Sequence, residues 1–382
     1  VNESPLSAFP LEAERVPPFD HADLVVVNLP FVSPFAISTA VWTCKEALLL
    51  RLAGEGVVGW GECVADPDPY YASETTVTAA HVIRDFLLPL VEAGITLSEL
   101  DTRFKHVRGH QMAKAAVENA LVDLIGKQKK VPLHELLGAK RKRIPSGISL
   151  GLQESPAELV REVEAAVTRK YHRVKMKVKK GKDIDYVSAV RDRFPDVPLM
   201  VDANGDYRLE DAEHLARLDA FNLMMIEQPL SYSDIYQHAV LQKTLKTPLC
   251  LDESIHDLDD ARSAIALGGC RILNLKQGRV GGLLESLRIV RYAASCGVPV
   301  WSGGMDETGI GRAVNIHLQT VDGFNLPGDT SETIRYFHED IVEPGVTLDN
   351  EGFIEVPEGH GIGVTVMADR LDNLTVRRER LR

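Results

Sequence analysis

Residues 173–178 read Arg-Val-Lys-Met-Lys-Val, two lysines separated by one residue among apolar neighbours. On a strand, alternate side chains share a face, so Lys175 and Lys177 point together while Val174, Met176 and Val178 point the other way. If the apolar set packs against helices, both ammonium groups enter the interior, where they need compensating anions. Repulsion within such a pair lowers one pKa toward that of a useful general base. Taken alone, the pair fits equally an exposed edge strand with solvated lysines.

The neighbouring motifs change that balance. Val-Asp-Ala-Asn (201–204), Ile-Glu-Gln-Pro (226–229) and Leu-Asp-Glu-Ser (251–254) each end an apolar run in a carboxylate. Any one of these acids could simply cap the following helix. Three of them converging on one mouth would repel without a cation. Hard oxygen donors with no His or Cys beside them suit Mg²⁺, which leaves coordination positions for water and substrate. Ile-Leu-Asn-Leu-Lys (272–276) then ends one more apolar run in Lys276.

These residues need elements that bring them together. Lys177, Asp202, Glu227, Asp252 and Lys276 recur at intervals of 25, 25, 25 and 24 residues. Short apolar segments at 144–150, 173–178, 198–202, 223–227, 248–252, 271–276 and 298–302 alternate with amphipathic stretches, which implies a parallel sheet. Polar residues at the C-terminal ends of successive strands are the mark of a (β/α) barrel, whereas a doubly wound sheet would carry a Gly-rich first turn. A barrel is therefore expected over 143–344. Lys177 and Lys276, four strand steps apart in a near-eightfold ring, would face each other across it.

The first part of the chain has a different rhythm. Strands at 22–29, 46–53 and 57–62, with a turn at 54–56, precede a helical stretch from about 72 to 138. There Met112, Ala116, Ala120 and Leu124 form one buried stripe. An α+β capping domain is expected over 20–142, after a Pro-rich tail at 1–19, and the segment 345–382 is expected to return to it. The net charge of −12 argues against nucleic acid or an anionic membrane as partner. No apolar run reaches the roughly 18 residues of a membrane span. The five cysteines, widely spaced and without C-x-x-C, argue against a disulfide framework. A cytoplasmic protein is expected. Basic runs at 127–130 and 140–143 read as solvated faces and a linker.

The series KMK, DAN, EQP, DES and NLK resembles the muconate-lactonizing subgroup of the enolase superfamily. The resemblance covers the chain from about residue 22. GWGECVADPDPYYASET (59–75), GHQMAKAAVENAL (109–121) and GGMDETGIGRAVN (303–315) are similar to segments of o-succinylbenzoate synthases and N-succinylamino acid racemases. Asp306 and Val314 stand where these families commonly have an aliphatic residue and His.

The resemblance implies a modified (β/α)8 barrel of (β/α)7β form, of the TIM type, with an α+β cap built from both chain ends. It implies Asp202, Glu227 and Asp252 as Mg²⁺ ligands, Mn²⁺ being an acceptable substitute, with Glu253 supporting them. Lys177 is implied as a base on one face of the substrate, Lys175 as its electrostatic partner, and Lys276 as the group on the opposite face. Such enzymes remove a proton α to a carboxylate through an enediolate, a mechanism already described for this superfamily. Substrate contacts are expected from loops 32–40 and 62–75, and from Ser149, Asn204, Gly303, Gly304 and Met305. A homo-oligomer acting on a small carboxylate is expected. A sugar-acid dehydratase would be expected to carry a His at the seventh strand, which here ends Val-Trp-Ser-Gly-Gly, and a dipeptide epimerase an Asp-x-Asp that is not found. Muconate cycloisomerase chemistry stays open, and a non-catalytic barrel would be expected to have lost one of the five strand-end residues.

Overall fold

The computed structural model describes residues 9–36 and 41–381. Positions 1–8 of the expected tail and 37–40 of the expected loop 32–40 lie outside these. Within the described part of that loop, residues 32–36 continue a strand.

The chain begins with an antiparallel unit, β1 (His21–Ala36), β2 (Val41–Gly54) and β3 (Val57–Cys63). A long helix, Gln111–Lys129, lies against this sheet, and Met112, Ala116, Ala120 and Leu124 are all buried. The two glycines of Gly-Trp-Gly-Glu-Cys make that approach possible. A Cβ on Gly59 would lie 2.3 Å from the carbonyl oxygen of Ala120, and one on Gly61 would lie 2.0 Å from that of Ala116.

After the short β4 (Arg143–Pro145) come seven parallel strands in sequential order: β5 (Gly147–Leu150), β6 (Arg173–Lys177), β7 (Leu199–Asp202), β8 (Ile226–Glu227), β9 (Leu249–Leu251), β10 (Ile272–Leu275) and β11 (Val300–Ser302). Residues 324–328 then close the ring. They bridge Val300 at Phe324 and Ser146 at Gly328, and the Gly147 amide donates to the Gly328 carbonyl at 2.7 Å. This closing segment, held by two isolated bridges, is absent from the sequence reading, because Pro327 and Gly328 punctuate it like a loop. The architecture is the expected (β/α)7β barrel with a separate cap.

Strand alternation sorts the side chains into layers. Val174, Met176 and Val178 pack outward with Leu159, Val163, Val187 and Val190. Inward, Met200, Met225, Cys250, Ile272 and Trp301 form an apolar plug. Two residues further along several of the same strands stand Asp202, Glu227, Asp252 and Asn274. The plug makes the barrel a floor for the polar layer above it.

In the tail, β12 (Val342–Glu343) pairs with β14 (Thr365–Val366), β13 (Phe353–Glu355) pairs with β4, and β15 (Thr375–Arg380) adds to β1. The C-terminal segment thus returns to the cap sheet. Residues 9–19 are not a loose tail. Leu11 and Val16 are fully buried, and the Val16 amide donates to the Ile95 carbonyl at 2.8 Å. Prolines stop regular structure here but do not prevent burial.

Candidate active site

At the C-terminal mouth of the barrel, β6 and the strands beside it place a dense ionic cluster. Lys177 Nζ donates to Asp202 Oδ2 at 2.6 Å and to Asn204 Oδ1 at 2.8 Å. Lys175 Nζ lies 2.6 Å from Asp329 Oδ2 and 3.3 Å from both Asp202 Oδ2 and Glu227 Oε2. On the other side, Lys276 Nζ lies 2.9 Å from Asp252 Oδ2 and donates to the Tyr71 hydroxyl at 2.9 Å. Asp202, Glu227 and Asp252 are fully buried, and the three lysines are nearly so. Lys177 ends β6 and Lys276 follows β10, four strand steps away, so they face each other across the cluster.

The charges are unevenly matched. Burial opposes the ammonium of Lys175, but Asp329, Glu227 and Asp202 together hold its pKa well above the ordinary lysine range. Burial likewise opposes the charged forms of Asp202 and Asp252. Lys177 and Lys175 hold the first below the usual carboxylate range, and Arg279 and Lys276 hold the second there. Glu227 is left short of positive charge. Burial and then Asp202 push it well above its ordinary value. Burial, Asp252 and Asp202 push Glu253 up to about 7.

The donor set suits a hard divalent cation. Glu227 Oε2, Asp252 Oδ2 and Glu253 Oε2 are buried without a well-aligned hydrogen bond, the first two facing the ammonium groups of Lys175 at 3.3 Å and Lys276 at 2.9 Å. The second oxygen of Glu227 is fixed by Asn274 Nδ2 at 2.6 Å, and that of Glu253 by Asn204 Nδ2 at 2.9 Å. Buried carboxylates with one oxygen anchored and the other turned toward positive charge are what a cation such as Mg²⁺ takes as ligands. Among the described residues, no three His, Cys, Asp or Glu side chains already stand as a formed metal cage. Lys175 and Lys177 pair with Asp202, Lys175 also with Glu227, and Lys276 and Arg279 pair with Asp252.

Several residues outside the sequence reading complete the cluster. Arg173 shares the inward face of Lys175 and Lys177, is fully buried, and pairs with Asp329 beneath Lys175. Strand alternation could have identified it. Asp329 follows the closing segment at 324–328, which the sequence hides. Arg279, three residues after Lys276, bonds Asp252 Oδ1 and the Asp252 carbonyl at 2.5 Å each and the Tyr71 hydroxyl at 3.1 Å. Tyr71 comes from the cap loop 62–75.

A cavity lies between this cluster and the cap. Ser149, Lys175, Lys177, Asn204, Lys276 and Asp329 line its barrel side, and Gly304 and Met305 also reach it. Gly303 does not line the cavity. It packs behind Lys276, where a Cβ would lie 2.2 Å from Asn274 Oδ1 and 2.8 Å from Lys276 Cε. Glu62 of β3 fastens the cap to the barrel here, accepting from the Thr308 hydroxyl at 2.6 Å and the Gly311 amide at 3.0 Å.

Comparison with known proteins agrees with this arrangement. Residues 21–138 match the mandelate racemase / muconate lactonizing enzyme N-terminal domain, and residues 158–370 match the enolase C-terminal domain-like family. The chain belongs to the enolase superfamily. A solved superfamily member from Listeria innocua superimposes with a TM-score of 0.92 at 41% identity, covering 97% of this chain and 100% of that one. An o-succinylbenzoate synthase of Geobacillus kaustophilus is 47% identical over 91% of this chain and 94% of its own. An N-succinylamino acid racemase of Amycolatopsis is 43% identical over 91% of this chain and 95% of its own. The superfamily membership makes the ionic mouth of the barrel the place to look for chemistry, and the chain an enzyme. Among the described residues no helix is long and apolar enough to cross a membrane.

Proposed function

We propose that this enzyme removes a proton α to a substrate carboxylate, acting as an o-succinylbenzoate synthase, an N-succinylamino acid racemase, or both. The observation that carries the reading is the placement of Lys177 and Lys276 on opposite sides of three buried carboxylates. The two relatives named above lend these particular substrates.

Asp202, Glu227 and Asp252 would hold Mg²⁺, with Glu253 supporting through Asn204. When bound there, the ion supplies positive charge for the substrate carboxylate and for the negative charge that develops as the α-proton leaves. Lys177 takes the proton from one face. Its hydrogen bonds to Asp202 and Asn204 fix the position of Nζ at the end of β6. Lys175, kept charged by Asp329, adds a fixed cation beside the developing anion. Lys276 faces the other side. In racemisation it returns a proton to the opposite face; in the synthase reaction it stabilises the anion while Lys177 returns the proton it took to the leaving hydroxyl, which departs as water. Tyr71 and Arg279 hold Lys276 and Asp252 in register. Ser149, Gly304 and Met305 bound the substrate from the barrel side, while Gly303 lets Lys276 lie close against its strand.

The test is to mix the purified protein with the cyclohexadiene precursor of o-succinylbenzoate, with Mg²⁺ and then with EDTA. Metal-dependent loss of the precursor's ultraviolet absorbance is expected for the synthase. If none occurs, and N-succinylamino acids are not racemised either, the reading fails.

A further inference from the structure

A second cavity opens beside the one that holds the catalytic lysines. Tyr71 and Asn204 line both, so these two side chains form the wall between them. The side cavity lies between the cap loop at 69–73 and the loops that follow β7 and β8. Its lining carries four carboxylates, Asp206, Glu210, Asp234 and Glu253, against one cation, Arg208.

Two of those carboxylates have an oxygen without a partner. Asp234 Oδ1 accepts from the Gln237 amide at 2.9 Å, but its Oδ2 is buried without a hydrogen bond. Glu253 is only 6% exposed, and Asn204 Nδ2 holds its Oε1 at 2.9 Å while its Oε2 has no hydrogen bond. Unlike Glu227 and Asp252, Glu253 has no ammonium or guanidinium in salt-bridge contact among the described residues. A buried carboxylate oxygen in that condition is costly unless a donor or a cation reaches it. Glu253 directly follows Asp252, so the side cavity ends one residue away from a carboxylate assigned to Mg²⁺.

The substrate cavity offers a cation a worse approach. Its inner end is lined by Lys175, Lys177 and Lys276, with Asp329 already paired to Lys175. Those ammonium groups attract a carboxylate substrate and repel a divalent cation. A cleft lined by excess carboxylate does the reverse and raises the local concentration of cations.

We propose that the side cavity is the route by which the divalent cation enters and leaves, with Glu253 as its last stepping point, while substrate uses the lysine-lined cavity. The inference rests on the metal-site reading above and adds a path to it.

The experiment follows Mn²⁺ binding in place of turnover. Its Kd comes from the paramagnetic resonance of the free ion, and its release rate from stopped-flow transfer to an excess of fluorescent chelator. Ser231→Trp narrows the side cavity from the loop after β8, and Cys44→Trp narrows the substrate cavity. Ser231→Trp should slow release and association several-fold by the same factor with Kd unchanged, which is the signature of a blocked route. Cys44→Trp should leave both rates as they are. Asp206→Asn combined with Glu210→Gln should slow association by roughly tenfold at low salt and much less at high salt. Thermal unfolding reports that each variant is folded, and Ser73→Trp, in the cap loop of the same cavity, replaces Ser231→Trp if that one is not. Unchanged rates in the side-cavity variant, equal slowing by Cys44→Trp, or slowing accounted for by a changed Kd overturns the inference alone. Failure of the wild type to bind Mn²⁺ overturns the metal-site reading and the inference with it.

Discussion

Arg173 and Asp329 form a buried ion pair that joins β6 to the segment closing the barrel. The guanidinium is fully buried, lies 4.5 Å from the centre of the Trp301 ring, and donates to the Pro327 carbonyl at 3.0 Å. The other oxygen of Asp329 holds Lys175. A single carboxylate thus ties ring closure to the charge of a lysine in the active-site cluster.

Removing one member of this pair leaves the other charge buried without its partner. Asp329→Ala should lower unfolding free energy by about 3–5 kcal/mol, the usual cost of breaking a buried pair from one side. Urea denaturation reads the change directly. A loss below about 1 kcal/mol would mean that Arg173 finds another anion.

Lys177→Ala should abolish turnover. Its neighbour Lys175 is kept charged by Asp329 and so cannot take the proton in its place, and general-base catalysis contributes on the order of 10²–10⁴-fold. Lys276→Ala should stop racemisation while deuterium exchange of one enantiomer continues. Measuring exchange separately for each enantiomer tests both assignments, and unchanged racemisation in Lys276→Ala would place the second base elsewhere.

Mg²⁺ should raise the thermal midpoint of the wild-type protein in the absence of substrate. Binding that favours the folded state adds about 2.7 kcal/mol when the free ion is about 100-fold above its Kd. EDTA should reverse the shift. Glu227→Gln, which removes the carboxylate most short of positive charge, should weaken it strongly. A full shift in that variant would exclude Glu227 as a ligand.

Stability should fall on both sides of mild acidity. Burial holds His238 at about 4 in the folded state against 6.5 when exposed, so its neutral ring stabilises the fold at neutral pH. Below about 6.5 the unfolded chain binds that proton first, and stability declines as pH falls toward 4. Glu118 behaves oppositely. Burial pushes it up to about 8 from 4.5, so the folded state keeps a proton that the unfolded chain has released. Its contribution is present at low pH and is lost as pH rises from 4.5 through 8. Denaturation midpoints across pH should show His238→Gln flattening the acid side and Glu118→Gln the alkaline side.

Gly61→Ala should destabilise the cap by at least about 1–3 kcal/mol, the range for overpacking a tight core. Here the added methyl meets a backbone carbonyl, which cannot rotate away. A scan showing an unchanged midpoint would mean that the helix at 111–129 shifts freely on β3.

The sequence by itself determined the barrel and the heart of its mouth. A repeat of 25 residues ending each strand in Lys, Asp, Glu, Asp and Lys is a local signal, because every βα unit brings its strand end to the same rim. Alternation along 173–177 determined which way the lysines point, and would equally have given Arg173. What only the tertiary structure decided is whatever ring closure and domain docking bring in. Asp329 lies in a Pro-Gly segment without strand periodicity and meets Lys175 only when the first and last strands join. Tyr71 and Lys45 reach the cavity from the cap, far away in sequence, because Glu62 and the helix at 111–129 fix how that domain sits on the barrel. Gly303, which the sequence suggested as a substrate contact, lies behind Lys276. Its place follows from strand packing, where a missing Cβ lets Lys276 and Asn274 approach.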